Sequence, residues 1–160
     1  MKLQTIPEDK KLIICDFANT LIIGNDGRII PRAGSKELLV KLKENNRIIA
    51  LYSADEEEKV NRVMREIGLR HFYMKKYIDR VYGKSHLVSY DGRKCKDLAR
   101  VCEDLKVKNL ESVMIGDRLN MDGYSAEKAG IDYIIVPKFE ENPDFDLRSL
   151  APYWFSVSKK

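Results

Sequence analysis

The sequence predicts a three-layer α/β fold in which helices cover both faces of a parallel sheet. Short, uninterrupted apolar runs recur along it, beginning with Leu12-Ile13-Ile14-Cys15, and such runs suit strands buried on both faces. Segments with apolar residues at helical spacing lie between the runs. Strand and helix signals alternate without an internal repeat, a low-complexity tract or a Pro/Gly-rich linker, and that alternation is the pattern of a parallel sheet.

The elements follow in order. Leu12–Cys15 is the first strand. Leu21-Ile22-Ile23, the turn Gly24-Asn25-Asp26-Gly27 and Arg28-Ile29-Ile30 read as a hairpin, because an Asp-Gly turn between β-branched runs favours one. Ser35 starts a helix with Leu38, Leu39 and Leu42 on one face, ending near Asn45-Asn46. Ile48 to Tyr52 is the second buried strand. Asp55 and Glu56-Glu57-Glu58 make an acidic first turn, favoured by the helix dipole, and Val60, Val63, Met64 and Ile67 continue that helix until Gly68 closes it.

From Leu69 to Asp91 the pattern is ambiguous, with short helix or strand pieces around Tyr77–Tyr82 and His86–Tyr90. Lys96 to Leu105 reads as a helix with Leu98, Cys102 and Leu105 inward. Ser112 to Ile115 is a third strand, Met121 to Ala129 a helix, and Asp132 to Val136 a fourth strand stopped by Pro137. A short final helix is expected after Asp144.

Composition narrows the function classes. At 160 residues the chain is expected to form one domain over residues 1–160, with core enough to fold without disulfides or metal. Its 44% hydrophobic content excludes intrinsic disorder. Charged residues reach 34% against a usual value of about 25%, which suits ion-pair networks of a protein from a hot environment and equally a very soluble protein. The net charge of +4 is spread thinly: the basic doublets Lys10-Lys11, Lys75-Lys76 and Lys159-Lys160 form no basic, aromatic-interleaved stripe, which argues against nucleic acid as a partner. No segment approaches the roughly 20 apolar residues of a membrane span, and Met1 to Asp9 is unlike a signal peptide. Cys15, Cys95 and Cys102 lack metal-ligand spacing and read as reduced thiols, so a cytoplasmic location is expected.

Parallel sheets bind ligands outside the carboxyl ends of their strands. The residues that matter are therefore those just after each apolar run. Asp16-Phe17-Ala18-Asn19-Thr20 follows the first, Ser53-Ala54 the second and Gly116-Asp117 the third, and Asp122 lies five positions beyond Asp117. Three carboxylates converging on one crevice repel unless a cation neutralises them. Hard oxygen ligands suit Mg²⁺, which commonly bridges to phosphate. A carboxylate is an established nucleophile toward phosphorus, and phosphoryl transfer further asks for a nearby ammonium, for which Lys96 and Lys94 are the candidates.

In this order the motifs resemble the haloacid dehalogenase superfamily of phosphohydrolases, over roughly residues 10–140. Ile115-Gly116-Asp117-Arg118-Leu119-Asn120-Met121-Asp122 is the most specific piece, and Ala129-Gly130-Ile131 before a strand continues it. Lys96-Asp97-Leu98 is similar to a motif of the capless branch that acts on proteins. The resemblance implies a Rossmann-like core with a hairpin flap and no large cap, and a phosphorylated substrate that extends to macromolecules. Asp16 would then be nucleophile and Mg²⁺ ligand, with the Ala18 carbonyl, Asp117 and Asp122 completing the metal site. Ser53 and Ala54 would bind the phosphoryl group together with Thr20, which also shapes the loop, and Lys96 would neutralise Asp16 and phosphate.

One departure stands out. Phosphatases of this superfamily usually carry an Asp as acid and base two residues after the nucleophile, and here that residue is Ala18. Losing a general acid/base costs roughly 10²–10⁴-fold in rate. Phosphonate-cleaving members share Asp-x-Ala but need a cap-borne lysine, and the 37 positions from Asp16 to Ser53 leave no room for a cap. Two readings are open: a phosphohydrolase with low or altered activity, or a catalytically degenerate metal- or phosphate-binding or interaction module. A response-regulator-like phospho-acceptor fits poorly, since Asp16 follows the first strand. His71, His86 and Cys15 read as structural, and the oligomeric state is left open.

Overall fold

The computed structural model describes residues 1–25, 28–67 and 77–155. The hairpin turn residues Asp26-Gly27, the helix stop Gly68, His71 and the doublets Lys75-Lys76 and Lys159-Lys160 lie outside them.

Among the described residues, ten strands and four α-helices follow one another along the chain. β1 is Lys2–Leu3 and β2 is Leu12–Cys15. β3 (Ile22–Asn25) and β4 (Arg28–Pro31) form the predicted hairpin, followed by α1 (Ser35–Glu44), β5 (Ile48–Tyr52), α2 (Glu57–Glu66) and β6 (Arg80–Tyr82). β7 (Leu87–Tyr90) and β8 (Arg93–Lys96) form a second hairpin, then come α3 (Leu98–Leu105), β9 (Ser112–Gly116), α4 (Tyr124–Ala129) and β10 (Asp132–Ile135). Six strands make an entirely parallel sheet in the order β1-β10-β9-β2-β5-β6.

Period-two alternation divides the side chains between two cores. Ile13, Cys15, Ile49, Leu51, Val113 and Ile115 face α1 and α2, together with Leu147 and Leu150 near the C-terminal end. Leu12, Ile14, Ala50, Tyr52 and Met114 face α3 and α4. This is the three-layer arrangement that the buried runs predict. The three cysteines are free and buried, and burial, with the neighbouring Asp16, pushes the Cys15 thiol up to about 12.

β2 is central, and the chain departs from it to β5 and β6 on one side and returns to β9 and β10 on the other. Ligand crevices form at such a reversal. The register aligns the strand ends, with Cys15 opposite both Leu51 and Ile115, so the residues after β2, β5 and β9 emerge side by side.

Two sequence expectations are corrected. Lys96 does not begin a helix: it ends β8, opposite Leu87, and Asp97 caps α3 by accepting the Arg100 N–H at 3.2 Å. A capping Asp competes with helix at its own position, which moves the start past Lys96. The expected helix from Met121 is a widened turn over Leu119–Gly123, where the amides of Met121, Asp122 and Gly123 converge on the Arg118 carbonyl, and α4 proper starts at Tyr124. The short final helix expected after Asp144 is present as a single 3₁₀ turn, Leu147–Leu150, capped by Asp146. The ambiguous pieces around Tyr77–Tyr82 and His86–Tyr90 are the strands β6 and β7, whereas β1, two residues beside β10, and β8, the partner of β7, have no counterpart among the sequence expectations.

Candidate active site

Four chain segments bring four charged side chains to the carboxyl edge of the sheet. Asp16 extends β2 by one residue, its N–H bonding the Ile115 carbonyl at 2.8 Å. Asp117 follows β9. Asp122 reaches back from the widened turn, where its Oδ2 accepts the Arg118 N–H at 3.2 Å. Gly116 makes that return possible: a Cβ there would fall 2.1 Å from Asp122 Oδ2. Oxygens of Asp16, Asp117 and Asp122 lie within 4.8 Å of one another.

Lys96 closes the cluster. Its Nζ donates to Asp16 Oδ1 at 2.9 Å and to Asp122 Oδ1 at 2.7 Å. Lysine is seldom this deeply buried without partners, yet Lys96 is 2% exposed. Its backbone N–H is fixed by Ser125 Oγ at 2.9 Å, and its ammonium lies 6.0 Å from the Tyr52 ring centre. Lys94, the rival candidate, is exposed on the same strand.

The electrostatics are unbalanced. Burial pushes the Asp16 carboxyl above the usual carboxylate range, with Lys96 opposing and Asp117 adding to the rise. Asp122 is raised for the same first reason, again against Lys96 and with Asp16 adding. Burial alone would lower Lys96, but Asp16 and Asp122 outweigh it and hold the ammonium charged above its ordinary value. Three carboxylates against the Lys96 ammonium, with the Arg32 guanidinium near Asp117, still leave an excess of negative charge, and an all-oxygen donor set of this kind fits a hard divalent cation.

The remaining predicted residues surround this cluster. Ser53 follows β5, is buried, and its Oγ accepts the Asp55 N–H at 3.1 Å, so the hydroxyl proton is free to be donated elsewhere. Ala54 lies beyond it, in a groove with Asp55, Glu56 and Arg62. Thr20 is fully buried, its hydroxyl 3.5 Å from Asp16 Oδ2. The loop carrying Ala18 is wound tightly: the amides of Thr20, Leu21 and Ile22 all approach the Phe17 carbonyl, and Asn19 takes the left-handed conformation (φ 61°).

Arg32 is a residue that sequence reasoning missed. It is 2% exposed. One guanidinium nitrogen donates to the Asn19 carbonyl at 3.0 Å and another to the Pro137 carbonyl at 2.5 Å, tying the loop after β2 to the chain after β10. Burial lowers its pKa, with Asp117 opposing. Nothing in the local sequence distinguishes it from the other arginines. Ser125 was missed for the same reason.

No curated protein matches the chain by sequence. Solved structures do match its fold. A haloacid dehalogenase-like family hydrolase from Streptococcus pneumoniae superposes with a TM-score of 0.63 at 12% identity over 91% of each chain. An uncharacterized protein from Listeria monocytogenes serotype 4b gives 0.63 at 23% identity, over 86% of this chain and 82% of that one. A phospho-aspartyl intermediate analogue of phosphoserine phosphatase gives 0.57 at 16% identity, over 90% of this chain and 98% of the other. The haloacid dehalogenase-like hydrolase family profile matches residues 20–130, a span that holds Ser53, Lys96, Asp117 and Asp122 and begins after Asp16 and Ala18. With more than half of its length matched, the chain belongs to the haloacid dehalogenase-like hydrolases.

Proposed function

We propose that the chain is a Mg²⁺-dependent phosphohydrolase that works through an aspartyl-phosphate on Asp16. The observation that carries this reading is the Lys96 ammonium shared between Asp16 and Asp122 within a buried cluster of three carboxylates. That geometry serves phosphoryl transfer, where catalysis is mostly positioning and charge neutralisation. The phosphatase neighbours in the fold comparison support it.

In this reading Asp16, Asp117, Asp122 and the Ala18 carbonyl would hold Mg²⁺, which would neutralise charge developing on the phosphoryl oxygens. Asp16 presents Oδ2 to phosphorus while Lys96 holds Oδ1, and the Thr20 hydroxyl lies 3.5 Å from Oδ2. The Ser53 hydroxyl and the Ala54 N–H bind the transferring group. The chain acts as one domain over residues 1–160, in the cytoplasm and without a large cap, its flap being the β3–β4 hairpin. The open cleft admits phosphorylated groups on small molecules or macromolecules.

Ala18 favours the alternative of a degenerate binding module, because it carries no proton for leaving group or water. Acetyl phosphate separates the two readings, since its acyl leaving group departs without an acid. The hydrolase reading expects Mg²⁺-dependent release of phosphate, a hydroxylamine-sensitive phosphoenzyme, and loss of both in Asp16→Asn. Mg²⁺ binding without turnover or phosphoenzyme would establish the degenerate module instead.

A further inference from the structure

A pocket of about 140 Å³ adjoins the loop that follows Asp16 and opens between it and the start of α2. Phe17 and Ala18, the two residues after the candidate nucleophile, form one wall, and Ile22, Ile29, Val60 and Val63 form most of the rest. Asp55, two residues after Ser53, also lines it with Lys59, their charged groups 3.6 Å apart. A group bonded to a phosphate lying between Asp16 and Ser53 has this pocket as its neighbour.

We propose that this pocket receives the leaving group and that it fits a single aromatic ring, which makes aryl phosphate monoesters the substrate class. The inference rests on the phosphohydrolase reading. Size supports the ring, because an apolar cavity of about 150 Å³ is known to take benzene. Chemistry supports it independently. The Ala18 wall offers no proton, and the Asp55 carboxylate and Lys59 ammonium in the lining are paired with each other. The leaving oxygen must therefore depart as its anion. A phenol ionises near pH 10, whereas the pKa of water is about 15.7 and an alkoxide is a correspondingly poor leaving group. Substrates that leave as phenolates bypass the missing acid.

The steps balance without a further reactant. An Asp16 oxygen bonds to phosphorus as the phosphorus–aryl oxygen bond breaks, and the electron pair leaves on the phenolate, which takes its proton from solvent. Water then bonds to phosphorus, the bond to Asp16 breaks, the pair returns to the carboxylate and the water proton goes to bulk.

The test compares kcat/KM of the full chain with Mg²⁺ for acetyl phosphate, a series of substituted phenyl phosphates, a phosphotyrosine peptide and alkyl phosphates. The expected result is that phenyl phosphates exceed alkyl phosphates by about 10²-fold or more, the size of the missing acid's contribution, and that rates fall steeply as the pKa of the phenol rises. Ala18→Asp flattens that dependence by raising alkyl turnover. Turnover of phenyl phosphate or of the peptide supports the proposal, and their ratio tells a free from a protein-borne aryl phosphate. Ile29→Asn, at a half-exposed pocket position, lowers the ratio of phenyl to acetyl phosphate turnover about tenfold or more. Phenol titrated into the metal-free protein shifts the methyl NMR signals of Val60 and Val63.

Acetyl phosphate turnover with equal aryl and alkyl rates, or no phenol response at Val60 and Val63, overturns the leaving-group pocket alone. Inertness toward acetyl and aryl phosphates together overturns the phosphohydrolase reading and this inference with it.

Discussion

Two buried lysines sit at opposite ends of the same sheet, and their surroundings differ in one respect. At the amino edge, Lys10 precedes β2 and is 5% exposed. It donates to the Leu110 carbonyl at 2.6 Å and to Asp132 at 3.0 Å, and the Met1 amine also donates to Asp132. One carboxylate faces two cations there, and every group is joined to strand ends or the turn before a strand. At the carboxyl edge, Lys96 alone faces Asp16 and Asp122, with Asp117 adjoining. Burying charge is costly unless it is matched. The amino edge meets that condition and ties the outer strands to the centre. The carboxyl edge violates it, which marks a place shaped for something other than stability.

The largest expected effect removes the ammonium that Asp16 and Asp122 share at this edge. Lys96→Met leaves Asp16 and Asp122 buried without their shared ion-pair partner and should cost about 3–5 kcal/mol, measured by urea unfolding in chelator. A loss under about 1 kcal/mol would show that this edge is no more electrostatically burdened than the other.

Next is the cation itself. Mg²⁺ at about 100 times its dissociation constant should add about 2.7 kcal/mol to wild-type stability, read as a rise in the unfolding midpoint. Asp117→Asn should raise the stability of the metal-free protein, by relieving repulsion, while losing most of the Mg²⁺ gain. A variant less stable than wild type in chelator would contradict the charge imbalance.

The smallest effect belongs to the balanced edge and shows in the pH dependence. Partial burial tends to raise Asp132, but hydrogen bonds from Lys10 and the Met1 amine outweigh it and hold its carboxyl below the usual range. Its stabilisation is therefore complete above the unfolded value near 3.9 and is lost as pH falls through the lower folded value. Asp132→Asn should cost about 1 kcal/mol at pH 7 and converge with wild type in acid. Asp16 and Asp122 work in the opposite sense: raised carboxyls favour the fold when protonated, and that contribution is lost as pH rises through their folded values.

Much of the fold was legible because burial on both faces leaves plain apolar runs, and the residues ending those runs are the ones that meet. The unread parts lack such runs. β8 is Arg93-Lys94-Cys95-Lys96, too charged to resemble a strand, although Asp91 and Gly92 both have positive φ (51° and 72°) and supply the same Asp-Gly turn signal that revealed the first hairpin. β1 is two residues long and is held by main-chain pairing with β10, which has no side-chain signature.

By itself, the sequence determined the layers, the strand ends and the set of carboxylates, because these depend on local periodicity and on the residues at the end of each apolar run. Only the tertiary structure decided which lysine serves them. Lys94 and Lys96 are two positions apart on one strand, and position along the sheet edge buries one against Asp16 and Asp122 and leaves the other in solvent. It also decided what stands beside Ala18. Val60 and Val63 are distant in sequence and reach that pocket only because α2 packs across the loop after β2. Local sequence carries no record of such long-range proximity.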